Sequence, residues 1–370
     1  MWGRRLRRIR GTAVIARPAS PQLPRPKVLL CGYYGEHNLG DDALLQVLLS
    51  QLPAAVEPVV TAADRAAVEA AFPVATVDRR SLTAVLKALA GCDALVLGGG
   101  SLLQDSTSFL SLVYYGALIT AARVRRLPVL LWGQGLGPLR RRRSRLLTRA
   151  LLAMATSISW RDPASAALAR SWGIDGRLGT DPVWALPPRP WVGAGGPIVL
   201  CWRPVPALEP DRWRPWLEAV AALARQVDRP VLWLPFHGEQ DRGLLERLDA
   251  AGLLPPDLRE RSRALPAADL EGATATFADA GLVLAMRLHG LILAAQSGSP
   301  CAALSYDPKV AAAAEGIGCP CHDLALPPPS SLADTWRAVL DQPPAQQRLA
   351  ALRDGAATHR LTLEPLRLLG

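Results

Sequence analysis

Short apolar runs alternate with segments of helical spacing along most of this chain, and most of these runs end at glycine or at polar residues. The clearest runs cover residues 27–31, 93–97, 128–132, 198–202 and 231–234. Strands that alternate with helices in this way are typical of parallel, doubly wound sheets. We therefore predict an α/β fold, in which the loops that follow successive strands gather at one edge of a sheet.

The length of 370 residues exceeds what one hydrophobic core usually fills, so we expect two domains. Proline-rich stretches at residues 18–26 and 186–197 mark the boundaries. The predicted division is a basic arm with a proline-rich linker (1–26), an N-terminal Rossmann-like domain (27–185), a C-terminal Rossmann-like domain (197–325) and C-terminal helices (326–370). The two doubly wound domains would face each other across a cleft.

The formal net charge of +10 is concentrated in two arginine clusters. They consist of Arg4, Arg5, Arg7, Arg8 and Arg10, and of Arg140, Arg141, Arg142, Arg143 and Arg145. The sequence shows neither interleaved aromatic residues nor a known nucleic-acid module, so nucleic acid is not an expected partner. Two interpretations stay open for the clusters: solvated basic segments, or attraction to anionic lipid headgroups.

Cysteine use and hydropathy indicate the compartment. The six cysteines are scattered and most lie in or beside apolar runs, which is typical of core residues in a reducing compartment. Cys319, Cys321 and His322 lack a fourth ligand at suitable spacing, so we expect no metal site. No apolar run reaches the 18 or so residues of a membrane span. We expect a cytoplasmic protein. The basic clusters suggest peripheral contact at the inner face of the cell membrane as an alternative.

The first two loops of the N-terminal domain combine glycines with polar side chains. Gly32-Tyr-Tyr-Gly35 leads through Asn38 to Asp41 and Asp42 at the start of a helix. Its spacing matches neither dinucleotide-binding nor Walker patterns, and the two aspartates either cap the helix or face a ligand. Gly98-Gly99-Gly100 is followed by Ser101, Gln104 and Asp105, which could bind hydroxyl groups. Three consecutive glycines favour close approach of a substrate to the backbone.

The strongest catalytic candidates follow apolar runs of the second domain. In residues 281–296, an apolar strand breaks at Arg287-Leu288-His289 and resumes as a helix, whose N-terminus favours an anion. We predict catalysis at His289, with His237 and His37 as weaker candidates. Lys309, one of three lysines in the chain, follows the next strand and could neutralise phosphate.

Six motifs in series resemble the polysaccharide pyruvyl transferases of the CsaB type. They are Gly32-Tyr-Tyr-Gly35 through Asn38-Leu-Gly-Asp41, Gly98-Gly-Gly-Ser-Leu-Leu-Gln-Asp105, Gly133-Gln-Gly-Leu-Gly-Pro138, Arg161-Asp162, Met286-Arg-Leu-His289 and Ser305-Tyr-Asp-Pro-Lys309. Together they cover roughly residues 27–310. Similar proteins often carry glutamate where this chain has Asp42.

The resemblance implies a fold like that of GT-B glycosyltransferases, and transfer of pyruvate from phosphoenolpyruvate onto two hydroxyls of a sugar as a cyclic ketal. His289 would move protons. Arg287, Lys309 and Arg161 would hold the donor, and the acceptor would contact Asn38, Asp41, Gly99, Gly100, Ser101, Gln104 and Asp105. No cofactor or metal would be needed, and the partners would be phosphoenolpyruvate and a sugar or lipid-linked oligosaccharide.

Two alternatives remain at this point, because a fold does not fix a function. A nucleotide-sugar-dependent glycosyltransferase would use the same two-domain layout. A non-catalytic protein that binds glycans or a membrane surface would use the basic clusters instead.

Overall fold

A computed structural model describes residues 25–369 except residues 107, 206, 207 and 209. The predicted basic arm therefore lies outside the described residues, apart from Arg25 and Pro26. No helix in the described part of the chain is long and apolar enough to cross a membrane.

The first domain is built on a parallel sheet of eight strands. The strands are β1 (Lys27–Tyr34), β2 (Glu57–Ala62), β3 (Ala75–Asp78), β4 (Ala94–Leu97), β5 (Gly100–Leu103), β6 (Val129–Leu136), β7 (Ser157–Trp160) and β8 (Arg177–Leu178). Their order is β3-β2-β1-β4-β6-β7-β8, with β5 beside β6. The connecting helices are α1 (Leu39–Gln51), α2 (Arg65–Ala71), α3 (Leu82–Ala90), α4 (Phe109–Val124), α5 (Arg142–Leu152) and α6 (Pro163–Arg170).

The second domain repeats this layout with a six-stranded parallel sheet, in the order β11-β10-β9-β12-β13-β14. Its strands are β9 (Ile198–Cys201), β10 (Val231–Trp233), β11 (Ser262–Ala264), β12 (Leu282–Ala285), β13 (Cys301–Ser305) and β14 (Cys321–Asp323). Its helices are α7 (Pro210–Val227), α8 (Leu244–Ala250), α9 (Pro256–Arg261), α10 (Leu270–Ala278), α11 (Leu288–Ser297), α12 (Pro308–Ile317) and α13 (Leu332–Val339). The predicted pair of doubly wound domains is thus confirmed.

One hydrophobic cluster runs through both domains. It joins Val28 and Leu30 of β1 and Leu44 of α1 to Val283 of β12 and Leu291 of α11. The central strands β4, β9 and β12 are buried along their whole length. Burial on both faces explains why these strands are continuous apolar runs in the sequence.

The C-terminal segment packs on both domains. Helix α13 packs on α7, and α14 (Gln346–Ala357) packs against α12 and against a 3-10 helix between the domains (Pro182–Ala185). The final 3-10 helix (Thr358–Leu369) returns to the first domain and packs against β6 and β7. His359 Nε2 lies 2.6 Å from the carbonyl oxygen of Thr180. The chain therefore crosses between the domains twice.

The cysteines are free thiols, and Cys31, Cys92, Cys201 and Cys301 are buried as core residues. Cys319 is partly buried and Cys321 is exposed. In the part of the chain that the structure describes, no group of three or more His, Cys, Asp and Glu side chains could hold a metal ion.

Candidate functional site

The two sheets bring their carboxyl edges together at the junction of β12 and α11. Arg287 is the N-cap of α11, and His289 lies in its first turn. All four residues of β12 are buried and apolar, so polar side chains that could bind a ligand occur only after the strand ends. The predicted strand-to-helix junction is confirmed.

His289 lies between a carboxylate and the backbone of the first domain. Its Nε2 is buried and lies 3.4 Å from Asp181 Oδ2. On the other side, Nδ1 faces Gly40 in the first turn of α1, where a Cβ would overlap the ring nitrogen. Gly40 therefore allows the approach of α1 and α11 that places this imidazole at the domain interface.

Asp181 connects His289 to Arg161 and Ser101. Arg161 Nη1 donates to Asp181 Oδ2 at 3.1 Å, and Arg161 Nη2 donates to Ser101 Oγ at 3.1 Å. The amide of Val183 donates to Asp181 Oδ1. Burial alone would raise the pKa of Asp181, but His289, Arg161 and this amide outweigh burial, and the pKa lies below its usual value. Asp181 is thus an anionic partner held against the imidazole.

A second carboxylate lies near the same imidazole. Asp41 follows Gly40, and its Oδ2 accepts a hydrogen bond of 2.5 Å from Asn38 Nδ2. Burial raises the pKa of Asp41 to about 6, although the charges of His289 and Arg161 act in the opposite direction. A carboxylate with such a pKa can take up and return a proton near neutral pH.

The neighbouring Asp42 shares this environment. Burial and the negative charge of Asp41 raise its pKa to about 7. The two aspartates do not cap α1, because its N-cap is Asn38, whose Oδ1 accepts from the Gly40 amide at 3.2 Å.

Lys309 completes the cationic side of the cleft from α12. Its side chain is partly buried, and within the described residues its ammonium has no ion-pair partner. Burial and the charge of Arg161 lower its pKa, whereas Asp307, Asp162 and Asp181 act against this shift. These couplings put Lys309 in the electrostatic environment of Arg161 and Asp181.

Arg287 is held by a buried carboxylate. Its Nε donates to Asp241 Oδ2 at 3.1 Å, and its Nη2 contacts both Asp241 Oδ1 and Gln240 Oε1. Asp241 also accepts from the amides of Phe236 and His237. Arg287 therefore fastens the loop after β10 to the start of α11, and its Nη1 is the group left for a ligand.

The triple glycine has a packing explanation that the sequence analysis did not foresee. A Cβ at Gly98 would overlap the hydroxyl of Tyr34, and one at Gly99 would lie 2.8 Å from Leu44 Cδ2. Gly100 has a φ of +101°, which strongly favours glycine. Contacts with β1 and α1 and this backbone conformation account for the three glycines without a substrate.

The other predicted acceptor residues divide into two groups. Ser101 accepts a hydrogen bond from Arg161, and Asn38 and Asp41 lie within two residues of Gly40, which faces His289. Asp105 is buried, and its two carboxylate oxygens accept from the amides of Arg140 and Arg141, each at 2.9 Å. Gln104 Oε1 accepts from the Ser106 hydroxyl. Both oxygens of Asp105 therefore support the chain before α5.

The weaker histidine candidates take part in contact between the domains. Asn38 and His237 form an isolated antiparallel bridge, and the Gly238 amide donates to the His37 carbonyl at 2.8 Å. His37 itself is exposed and lies 3.4 Å from Asp64. Burial and the charge of Arg287 lower the pKa of His237. The two loops thus close one end of the cleft.

Sequence reasoning missed Asp181 and Asp241. Neither aspartate is among the residues that the sequence analysis singles out. The signal for Asp181 was an aspartate after a strand and before a proline, at the point where the chain leaves the first sheet.

Solved structures with similar folds confirm the GT-B-like arrangement of two Rossmann-like domains. The UDP-GlcNAc 2-epimerase from Methanocaldococcus jannaschii matches with a TM-score of 0.61 and 11% identity, over 90% of this chain and 99% of that chain. HepE from Anabaena, in complex with UDP and glucose, matches with a TM-score of 0.56 and 13% identity, over 93% of this chain and 99% of that chain. At these identities the likeness concerns the fold alone.

A search of curated proteins finds no match. A family model described as polysaccharide pyruvyl transferase matches residues 38–308. The matched region runs from the N-cap of α1 through Asp181 and His289 and ends one residue before Lys309. Because this region covers well over half of the chain, the protein belongs to the polysaccharide pyruvyl transferase family.

Proposed function

We propose that this pyruvyl transferase uses phosphoenolpyruvate and forms a cyclic ketal on a sugar of a cell-surface glycan or its lipid-linked precursor, as enzymes of the CsaB type do. The observation that carries the proposal is the convergence of His289, Asp181, Arg161 and Lys309 where the two sheet edges face each other. This arrangement combines a proton carrier with cations, and the reaction needs both.

The donor is held by the cationic side of the cleft. Phosphoenolpyruvate carries a carboxylate and a phosphate, so two cationic contacts fit it. Lys309 is the first candidate, because its ammonium has no ion-pair partner in the described residues. Arg161 is the second, although it also binds Asp181, and Arg287 can contribute its Nη1.

The proton transfers balance without a change of oxidation state. A first hydroxyl adds to the central carbon of phosphoenolpyruvate while the methylene carbon is protonated to a methyl group. A second hydroxyl then attacks the same carbon as the bond to phosphate breaks. Two protons leave the acceptor, one ends on the methyl group and the other on phosphate. The reaction needs no redox cofactor for this reason.

His289 and Asp41 divide this work. His289 lies beside the Asp181 carboxylate, and its imidazole is the group suited to deliver the proton to the methylene carbon. Asp41 is suited to take a proton from an acceptor hydroxyl, because its Oδ1 has no hydrogen bond in the described part of the chain. Asn38 and Ser101 lie where they can orient the sugar.

The test is phosphate release from phosphoenolpyruvate by the purified protein with a glycan acceptor, together with the mass increment of a pyruvate ketal. His289→Ala should reduce turnover by at least about 100-fold, and Lys309→Ala should mainly raise the donor KM. His322→Ala and Lys87→Ala are matched controls outside the cleft and should behave as wild type. Near-normal turnover of His289→Ala would contradict the assignment. Release of a nucleoside diphosphate from a sugar nucleotide would favour the glycosyltransferase alternative.

A further inference from the structure

The helix pair α4 and α5 and the residues beside it carry positive charge that no ion pair among the described residues neutralises. Between Asp105 and Asp162 the sequence contains no aspartate or glutamate. Nine arginines of this segment lie on these two helices or beside them: Arg123, Arg125, Arg126, Arg140, Arg141, Arg142, Arg143, Arg145 and Arg149. Among the described residues, no ion pair involves an arginine of α5 or the two arginines before it.

The position of these arginines runs against the local preference of a helix. Helix α5 begins with Arg142 and Arg143, has no acidic residue in its first turn and lacks a side-chain N-cap hydrogen bond. Cations near a helix N-terminus oppose its macrodipole, whereas carboxylates there are stabilising. Because arginines at this position destabilise the helix, we expect them to have a role outside it.

Exposed aliphatic side chains lie among these charges. Leu146 is 68% exposed, and Leu110 and Val113 of α4 are 74% and 42% exposed. Arg142, Leu146 and Arg149 follow each other at spacings of four and three residues, so they share one face of α5. Single exposed apolar residues need no explanation, but here they belong to one pair of helices.

Two contacts fix the alignment of the helix pair. Arg143 lies over the ring of Phe109 at 4.3 Å, and a Cβ at Gly116 would lie 3.4 Å from Leu151 Cδ1. The helices therefore run in the same direction, and Leu110, Val113 and Leu146 lie at the same end of the pair. That end adjoins the site, since α4 follows β5, which carries Ser101, the hydrogen-bond partner of Arg161.

We propose that this face of α4 and α5 docks on an anionic phospholipid bilayer, with the arginines at the headgroups and Leu110, Val113 and Leu146 at the acyl boundary. Helices that bind the surface of an anionic membrane typically combine basic residues with exposed apolar side chains. Single-stranded nucleic acid would instead require exposed aromatic rings for stacking, and the one ring at this face, Phe109, is covered by Arg143. The proposal does not rest on the reaction proposed above.

The test is co-sedimentation of the full chain with vesicles of equal parts phosphatidylcholine and phosphatidylglycerol, compared with phosphatidylcholine alone. We expect binding to the anionic vesicles only. Arg142→Glu/Arg149→Glu should weaken it at least about 30-fold, since each basic residue near such a surface contributes about fivefold and the glutamates add repulsion. Arg263→Glu/Arg337→Glu changes the charge equally on exposed residues of the second domain and should bind as wild type. Equal loss in both double variants would overturn the proposal, because it would show dependence on net charge alone.

A second pair of variants tests the apolar part without changing any charge. Leu146→Ser should weaken vesicle binding several-fold, whereas Leu326→Ser, with a leucine 63% exposed in the second domain, should not. Thermal unfolding of each variant shows whether its fold is intact. Unchanged vesicle binding of Leu146→Ser would overturn the assignment to a bilayer. Binding of single-stranded RNA without binding of vesicles would overturn it as well.

Discussion

His289 and Gly40 face each other across the domain interface. The imidazole can lie there only because Gly40 has no side chain. The ring occupies space that a Cβ on Gly40 would need. Its orientation therefore depends on a residue that makes no hydrogen bond to it. Such a dependence gives a sharper test of His289 than its removal, because the imidazole stays in the protein.

Gly40→Ala should lower turnover by about 100-fold, because a shift of about 1 Å in a catalytic group can have that effect. The measurement is phosphate release from phosphoenolpyruvate with a glycan acceptor. Gly91→Ala is the matched control, since the nearest atom to a Cβ there lies 3.7 Å away. Equal turnover of the two variants would show that the position of the ring is unimportant.

The raised pKa of Asp41 predicts that the stability of the protein depends on pH. This pKa is about 6 in the folded protein and about 4 in an unfolded chain. The folded state thus binds more protons between these values, and stability falls as pH rises through this window. Asp41→Asn should remove this loss and raise the free energy of unfolding at pH 7 by up to about 3 kcal/mol.

Urea unfolding at pH 4 and pH 7 checks this expectation. The advantage of Asp41→Asn should be small at pH 4 and should grow towards pH 7, while its turnover falls. Asp334→Asn, at an exposed position of α13, should show no such trend. An advantage that is equal at both pH values would contradict the link to ionisation.

At the scale of elements, the pairing of Arg287 with Asp241 ties the loop after β10 to α11. Both side chains are buried. Asp241→Ala should therefore destabilise the protein by about 3–5 kcal/mol, because Arg287 would keep its charge in the interior. Urea unfolding measures this loss.

A double variant separates the structural role of this pair from donor binding. Asp241→Leu/Arg287→Met removes both charges, and most of the lost stability should return. Phosphate release should stay low, because the donor contact of Arg287 is also gone. A double variant as unstable as Asp241→Ala would show that the amides of Phe236 and His237 depend on this carboxylate more than Arg287 does.

The elements themselves could largely be predicted from the sequence. Central strands are buried on both faces and stand out as apolar runs, so β1, β4, β6, β9 and β12 were predicted close to their positions. Strands β8, β11 and β14 lie at sheet edges and contain only two or three residues. They carry no comparable signal.

The site could be predicted only in part, for a related reason. Arg161, His289 and Lys309 follow strands, and topology alone brings strand ends together. The carboxylates that pair with Arg161, His289 and Arg287 cannot be predicted from local patterns. Asp181 is 20 residues from Arg161 in sequence, and Asp241 is 46 residues from Arg287.

At the scale of the whole molecule, the last 3-10 helix packs on β6 and β7 of the first domain after the chain has passed through the second domain. His359, Thr362, Leu363 and Leu366 are buried. Leu366→Ala should lower the free energy of unfolding by about 2–4 kcal/mol. Leu368 is 88% exposed, and Leu368→Ala should change it by less than about 0.5 kcal/mol. Urea unfolding of both variants tests this difference, and similar values would show that the segment is loosely attached.

This return of the chain has a consequence for biosynthesis. The residues that cover β6 and β7 are translated after the entire second domain. While the ribosome is still elongating the chain, the first domain has made all of its strands but lacks part of its cover. The apolar face of its sheet becomes fully buried only when residues 358–369 have been added. The first domain therefore completes its packing after the second domain has been synthesised.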